Sequence, residues 1–470
     1  MSKAKIYYHD IGDYLSREEK LSLIKKFGSM SNMEWKELTP NEHGDWIAMR
    51  NESFDTFIPM APEKKFDLKT QTFFNTYAIG VATNRDAWVY NFSKEKIQSN
   101  MIRMIDFYNE QRELFHQEKL NNIDLIVEDF VINNAENISW TRALRKDVEK
   151  NIEHDFEENS FRMGVYRPFI KQNLYFDKSF IESPGLSPKF FPNNENNNLQ
   201  ICITGNGATK DFTVFLTNCI TDLQVQFNGQ IFALHYFEEN ISKQKDLFKT
   251  EDNSQDYIRR DGVSDFILER ATTQYNTKDI SKEDIFYYVY GFLHSPSYRE
   301  TFANDLKKML PRLPLVEDVR DFWAFSKAGR KLADLHLNYE SVPAYDGVTL
   351  SSRTSDNLGA SDNTKDYRVE KMRFPKKDQK DTIIFNSKIT ISNIPTEAYE
   401  YVVNGKSAIE WIMERYAITT HKDSGITNDP NDWADEVGNP RYILDLLLSI
   451  INVSVQTVEI VKGLPGGKFE

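Results

Sequence analysis

Two prolines three residues apart, in Pro311-Arg312-Leu313-Pro314, place the hardest constraint on this chain. Each lacks an amide donor and pushes the residue before it towards extended geometry, so no helix runs through the tetrapeptide. Helical signals crowd it on both sides. Upstream, Ser281 with Asp284 three residues on is an N-cap signature, and Ile285, Phe286, Val289, Phe292 and Leu293 recur on one face until Pro296. Tyr298, Phe302, Leu306 and Leu310 mark a second stripe, whose opposite side is expected to carry Arg299, Lys307 and Lys308. Downstream, Phe322, Phe325, Gly329, Leu332 and Leu335 make a third helix that closes near Tyr339. The stretch 281–340 therefore predicts three successive helices, with Arg312 held on a stiff extended connector. By pattern alone, a Tyr/Phe-rich set of this kind is ordinary core.

The rest of the chain predicts an α+β, multi-lobed fold. The expected divisions are an N-terminal lobe at 1–158, a β-rich central lobe with helical bundle elements at 159–340, a linker or long loop at 341–364, and a small C-terminal α/β lobe at 365–470. In the first lobe, Ser16 with Glu19 caps a helix. Ile97, Met101, Met104, Ile105, Tyr108 and Phe115 line one face of a long helix that starts at Ser93. The loop Gly205 to Lys210 follows a strand but precedes the alternating Phe212, Val214 and Leu216. It therefore reads as a hairpin loop and not a phosphate-binding turn, which needs a helix to follow. Gly347 to Thr364 is rich in Ser, Asp, Asn and Gly, as linkers are. Ser407 to Glu410 opens a helix with a capping box. Pro440 opens the last helix, beyond which Val453 to Val461 fits helix or strand.

No apolar run approaches the roughly 20 residues of a membrane span, and the opening MSKAKIYYHDIGDY lacks a signal peptide's apolar stretch. A cytoplasmic, non-membrane protein is expected. Cys202 and Cys219 stand without a CxxC or a histidine pair, which argues against zinc and against a disulfide framework. The net charge of −13 opposes any partner bound through phosphates, unless the charge is unevenly spread. It is uneven: residues 365–380 hold seven cations against three carboxylates.

Catalytic constellations do not emerge. An adenine methyltransferase needs an Asn/Asp/Ser-Pro-Pro-aromatic tetrapeptide and a glycine loop, and Asn428-Asp429-Pro430-Asn431 has one proline and no terminal aromatic. Glu63-Lys64-Lys65 has the letters of a nuclease E-x-K but lies in a polar loop with no flanking apolar strand. A helicase motor signature and an HExxH pair are also lacking.

Several strings nevertheless resemble one family closely. These are Tyr288 to Arg299 (YVYGFLHSPSYR), Pro311 to Pro314, Gly329 to Glu340, and Tyr166 to Asp177 (YRPFIKQNLYFD). IGDYLSREEKL from Ile11, TNRDAWVYNF from Thr83, VNGKSAIEWIMERY from Val403 and SGITNDPNDW from Ser424 join them. Together they resemble the C-terminal target-recognition region of type ISP and type IIG single-polypeptide restriction-modification enzymes.

The resemblance implies a sequence-specific double-stranded DNA recognition module that follows an adenine methyltransferase domain of the same parent polypeptide. S-adenosylmethionine and Mg are then expected in the preceding domains, and no cofactor in this chain. Such a module reads base edges in a groove while phosphate contacts set its register, and it braces the duplex while the partner domain extrudes an adenine. From charge and backbone context, the candidate DNA contacts are Arg167, Lys171 and Arg312 on ordered segments and Lys371, Arg373, Lys376 and Lys377 in the basic run. Arg167 precedes Pro168 and is biased extended, which suits a groove-facing loop and equally a strand whose arginine pairs internally. Two other readings stay open: an autonomous methyltransferase or nuclease with an unrecognised site, and an acidic protein-interaction or DNA-mimic protein suggested by the charge of −13.

Overall fold

The computed structural model describes residues 4–63, 71–240, 256–352 and 364–467. Five helices position the rest: α1 (Lys94–Lys119), α2 (Lys282–Phe292), α3 (Val319–Leu337), α4 (Pro430–Glu436) and α5 (Tyr442–Lys462). The expected caps are present on α2, where Ser281 and Asp284 satisfy each other's amides, and on the helices that begin after Ser16 and Ser407.

Glycine sets how α2 and α3 meet. A Cβ built on Gly291 would lie 2.1 Å from the Phe325 carbonyl oxygen, and one on Gly329 would lie 1.9 Å from that of Tyr287. The two backbones therefore touch at a crossing that no side chain could enter, and the aromatic residues on either side interdigitate around it. Tyr288 stacks on Phe322 at 4.9 Å, and Phe292 packs on Phe325 at 4.9 Å.

A four-stranded sheet separates two hydrophobic cores. Its order is Ala78–Ile79, Gln230–Ala233, Gln200–Ile203, Val214–Thr217, all neighbours antiparallel. Side chains alternate across a pleated strand, so each strand serves both faces. Ile201, Ile203, Val214, Leu216 and Phe232 point into the core built by α2 and α3. Cys202, Phe215, Ile231 and Ala233 point into the core shared by α1 and α5. Burial on both faces explains why these strands read as continuous apolar runs.

The second four-stranded sheet has the order Ile220–Thr221, Phe161–Arg167, Ile170–Tyr175, Tyr90–Asn91. Tyr90 and Asn91 pair with Leu174 and Asn173, so a strand from the first ninety or so residues completes a sheet of the central segment. The result is the mixed α+β architecture that the sequence indicates.

Four expectations need revision or completion. The second helix of the central trio breaks at Phe302 into Pro296–Thr301 and Ala303–Leu306. Arg299, expected on a solvent face, turns inward and donates from Nε to the Leu293 carbonyl at 2.6 Å. Thr349–Ser352, inside the stretch expected as linker, pairs with Ile389–Ser392; residues 353–363 of that stretch lie outside the described residues. Val453 to Val461 continues α5, a 21-residue helix whose most apolar 18-residue window has mean hydropathy 1.6, long and apolar enough to cross a membrane. The expectation that no such stretch exists was wrong. Most of that helix, 72% of its most apolar window, is buried in the core, where Leu444, Leu447, Ile450 and Ile451 pack.

Candidate nucleic-acid interface

The three cations expected to project from ordered segments are turned to internal partners. Arg167 ends the strand Phe161–Arg167, and Phe169 reverses the chain with a φ of 64°. That turn aims the guanidinium back at the protein. It lies 3.9 Å from the Tyr166 ring centre and donates to Asp222 at 2.8 Å, with the arginine 12% exposed and the aspartate 4%. Burial holds the Asp222 carboxyl up at about 7, with Arg167 pulling in the opposite direction. Lys171 bonds Glu340 and sits 4.8 Å over Tyr339, while Glu340 also accepts from the Tyr442 hydroxyl at 2.5 Å. Arg312 stands on a short strand paired with Ile58–Pro59, its Nε 3.6 Å from Asp55.

All three cations thus face carboxylates of the chain itself, the internal pairing that the strand reading of Arg167 allowed. Each joins segments distant in sequence, and a part-buried cation is held there by a carboxylate because leaving either charge unpaired would be costly.

The basic run behaves differently. Val369 and Met372 are buried and anchor an extended segment, and the backbone of Arg373 bridges that of Ile384 in both directions at 3.1 and 2.9 Å. Arg368 pairs with Asp429 and Asp435, and Lys380 with Glu410. Lys371, Arg373, Lys376 and Lys377 are exposed and form no ion pair with any described residue. Four unpaired cations on a pinned, twelve-residue stretch are a concentrated positive strip on an otherwise acidic body.

Beside the strip runs a concave face that the sequence did not disclose. Ile418 donates to the Glu370 carbonyl at 3.0 Å, so the strip abuts the hairpin formed by Thr419–Thr420 and Thr427–Asn428. Asn428 in turn accepts from the Phe92 amide at 3.0 Å, and Asn91 donates to the Thr427 carbonyl at 3.1 Å. This hairpin and residues 84–90 enclose a cleft of about 530 Å³ that Arg85, Gln172, Arg415, Thr420 and Asn428 line.

The cleft continues through a smaller hollow, lined by Lys96, Asn100, Arg103 and Ile426, into a depression along the exposed face of α1. Arg103 borders both hollows and lies 5.1 Å over the ring of Trp88, which lines the cleft. α1 has 26 residues, about 39 Å at 1.5 Å per residue, the length of about eleven base-pair steps.

Arg85 is 4% exposed; its Nη2 donates to Thr141 at 2.8 Å, Nε and Nη1 have no partner among the described residues, and burial lowers its pKa to about 10. Amide groups of Asn84 and Asn428, with hydroxyls of Thr419 and Thr420, supply donors and acceptors suited to base edges, and the buried Gln172 accepts from Asn428 behind them at 3.5 Å. The far end of the groove, with Glu95, Asp106 and Glu110, is acidic.

Among the described residues no group of three or more His, Cys, Asp or Glu could hold a metal ion. Lys64 and Lys65 of the Glu63-Lys64-Lys65 string lie outside the described residues.

This fold belongs to a known class. The profile of the type ISP C-terminal specificity domain matches residues 72–446, and the chain belongs to that family. Among solved structures, a nuclease-deletion mutant of the type ISP restriction-modification enzyme LlaGI, in complex with a DNA substrate mimic, is 38% identical with a TM-score of 0.82. The ATP-dependent type ISP enzyme LlaBIII bound to DNA is 34% identical at 0.84, and the DrdV–DNA complex is 27% identical at 0.81. Each alignment covers 99% of this chain, which spans 39%, 28% and 43% of those proteins respectively. No curated protein sequence matches.

Proposed function

We propose that the chain is the sequence-specific double-stranded DNA recognition module of a restriction-modification enzyme. It positions the duplex for an adenine methyltransferase and a nuclease carried by preceding domains of the same parent polypeptide, and those domains take the S-adenosylmethionine and Mg. The observation that carries the reading is the match of 99% of this chain, at a TM-score of 0.82, to a type ISP enzyme holding a DNA substrate mimic.

In this reading, Lys371, Arg373, Lys376 and Lys377 track phosphates at the mouth of the groove, and the amides and hydroxyls of Asn84, Thr420 and Asn428 read base edges. Arg167, Lys171 and Arg312 act by holding that face together. The acidic body keeps nonspecific attraction weak, so binding depends on the strip lying where the backbone passes.

Selection of duplexes from a randomised library by the full chain, followed by sequencing, tests this. Enrichment of a single asymmetric site is the expected result, and a pool that stays random contradicts it.

A further inference from the structure

A cavity of about 630 Å³ lies away from this groove, between the end of α2, the helix Pro296–Thr301, the loop at Asp211–Thr213, the segment Glu400–Val402 and the last turns of α5. Its walls are largely apolar, with Phe212, Val402, Val458 and Val461 among them.

Three polar groups inside it lack partners. Arg299 lines the cavity, and beyond its Nε bond to Leu293 it makes no hydrogen bond or ion pair with any described residue. Burial lowers its pKa to about 10. His294, 2% exposed, bonds the Tyr290 carbonyl through Nδ1 at 2.8 Å, which assigns the proton to that nitrogen. Its Nε2 is then a buried acceptor without a donor. Tyr401, 6% exposed, stacks on His336 at 5.0 Å, and its buried hydroxyl has no partner. At the rim Lys307 pairs with Asp211 and Lys462 with Glu400, each at 3.1 Å, and the exposed Glu300 also borders the cavity.

Buried polar atoms such as His294 Nε2 and the Tyr401 hydroxyl are nearly always satisfied, and the partly exposed Arg299 guanidinium, 5.9 Å from the Phe212 ring centre, has no counter-charge within ion-pair distance among the described residues. An ordered water could satisfy Nε2 or the tyrosine hydroxyl, but it supplies no charge to the guanidinium. Arg167 with Asp222 and Lys171 with Glu340 show how two other part-buried cations of this fold are paired.

We propose that this cavity is a binding site for a small organic anion, with a carboxylate on Arg299, a hydroxyl facing His294 and Tyr401, and an apolar or aromatic body against Phe212, Val458 and Val461. The inference does not rest on the DNA reading. Its geometry is that of ordinary ligand sites: apolar walls with a few convergent polar groups.

The probe is 4-hydroxybenzoate against its neutral counterpart 4-hydroxybenzamide, titrated into the full 470-residue chain and followed by ligand-observed NMR. The carboxylate should bind at least tenfold more tightly than the amide, and Arg299→Gln should abolish that difference. Should Arg299→Gln fail to fold, Ala303→Phe carries the test, because it narrows the cavity from its wall and should weaken both probes while leaving Arg299 in place. Equal binding of the two probes, no binding of either, or carboxylate binding untouched by either folded variant would overturn the proposal.

Discussion

The amide of Ile418 donates to the carbonyl of Glu370 at 3.0 Å, and through that bond the basic strip and the wall of the cleft share one backbone junction. A duplex that engages one must then load the other. Hydrogen exchange on the full chain should slow at 369–380 and at 417–428 together when duplex is added. Protection confined to one of the two segments contradicts a joint interface.

Arg167 and Asp222 make a pair whose loss is felt through pH. The folded carboxyl titrates near 7, above its unfolded value near 3.8, so the native state holds the extra proton between those values and stability falls as pH rises through that window. Arg167 limits the fall by favouring the ionised form. In Arg167→Gln the carboxyl loses that support and its pKa rises further, so the fall continues above pH 7 and the variant loses up to about 1.4 kcal/mol more than wild type between pH 7 and 8. Urea melts from pH 5 to 8 check this, and a difference independent of pH would contradict it.

Lys171 ties the central sheet to the end of α3 and, through Glu340 and Tyr442, to the start of α5. Lys171→Gln is expected to cost about 1–2 kcal/mol of stability, as for a partly exposed charge-assisted bond. Its DNA salt dependence should match wild type, measured by anisotropy over a salt series. A changed slope would return Lys171 to the phosphate contacts.

The crossing of α2 and α3 admits no side chain. Gly329→Ala forces a methyl to within 1.9 Å of the Tyr287 carbonyl oxygen, so the helices must part. The expected loss is about 1–3 kcal/mol by denaturant melt, the range for an overpacked core. An alanine variant as stable as wild type would mean the crossing is looser than the coordinates make it.

Much of the fold could be read from local signals. Capping boxes at Ser16, Ser281 and Ser407 and the apolar face of α1 depend on residues three or four apart, and these appear where expected. The split at Phe302 and the inward turn of Arg299 were not readable, because tertiary packing decided them. A cation written next to Tyr298 looks solvent-facing until the cavity wall is known. The same limit applied to the site. Lys371, Arg373, Lys376 and Lys377 stand out in the sequence because they are contiguous. The cleft joins Arg85, Gln172, Arg415 and Asn428, which lie more than three hundred residues apart at the extremes, and only the strings around them hinted at a shared role. The pairing of Arg167, Lys171 and Arg312 was not legible, because their carboxylate partners Asp222, Glu340 and Asp55 are just as remote.

The central claim is that a four-cation strip on an acidic module meets DNA phosphates. Its most direct test is the salt dependence of duplex affinity for wild type and for Lys371→Gln, Arg373→Gln, Lys376→Gln and Lys377→Gln combined. Each neutralised phosphate contributes about 0.9 to the slope of log affinity against log salt, so the combined variant should lose about 3 to 4 from that slope. A slope equal to that of wild type, in a variant that melts at the same temperature, would show that the strip does not touch DNA.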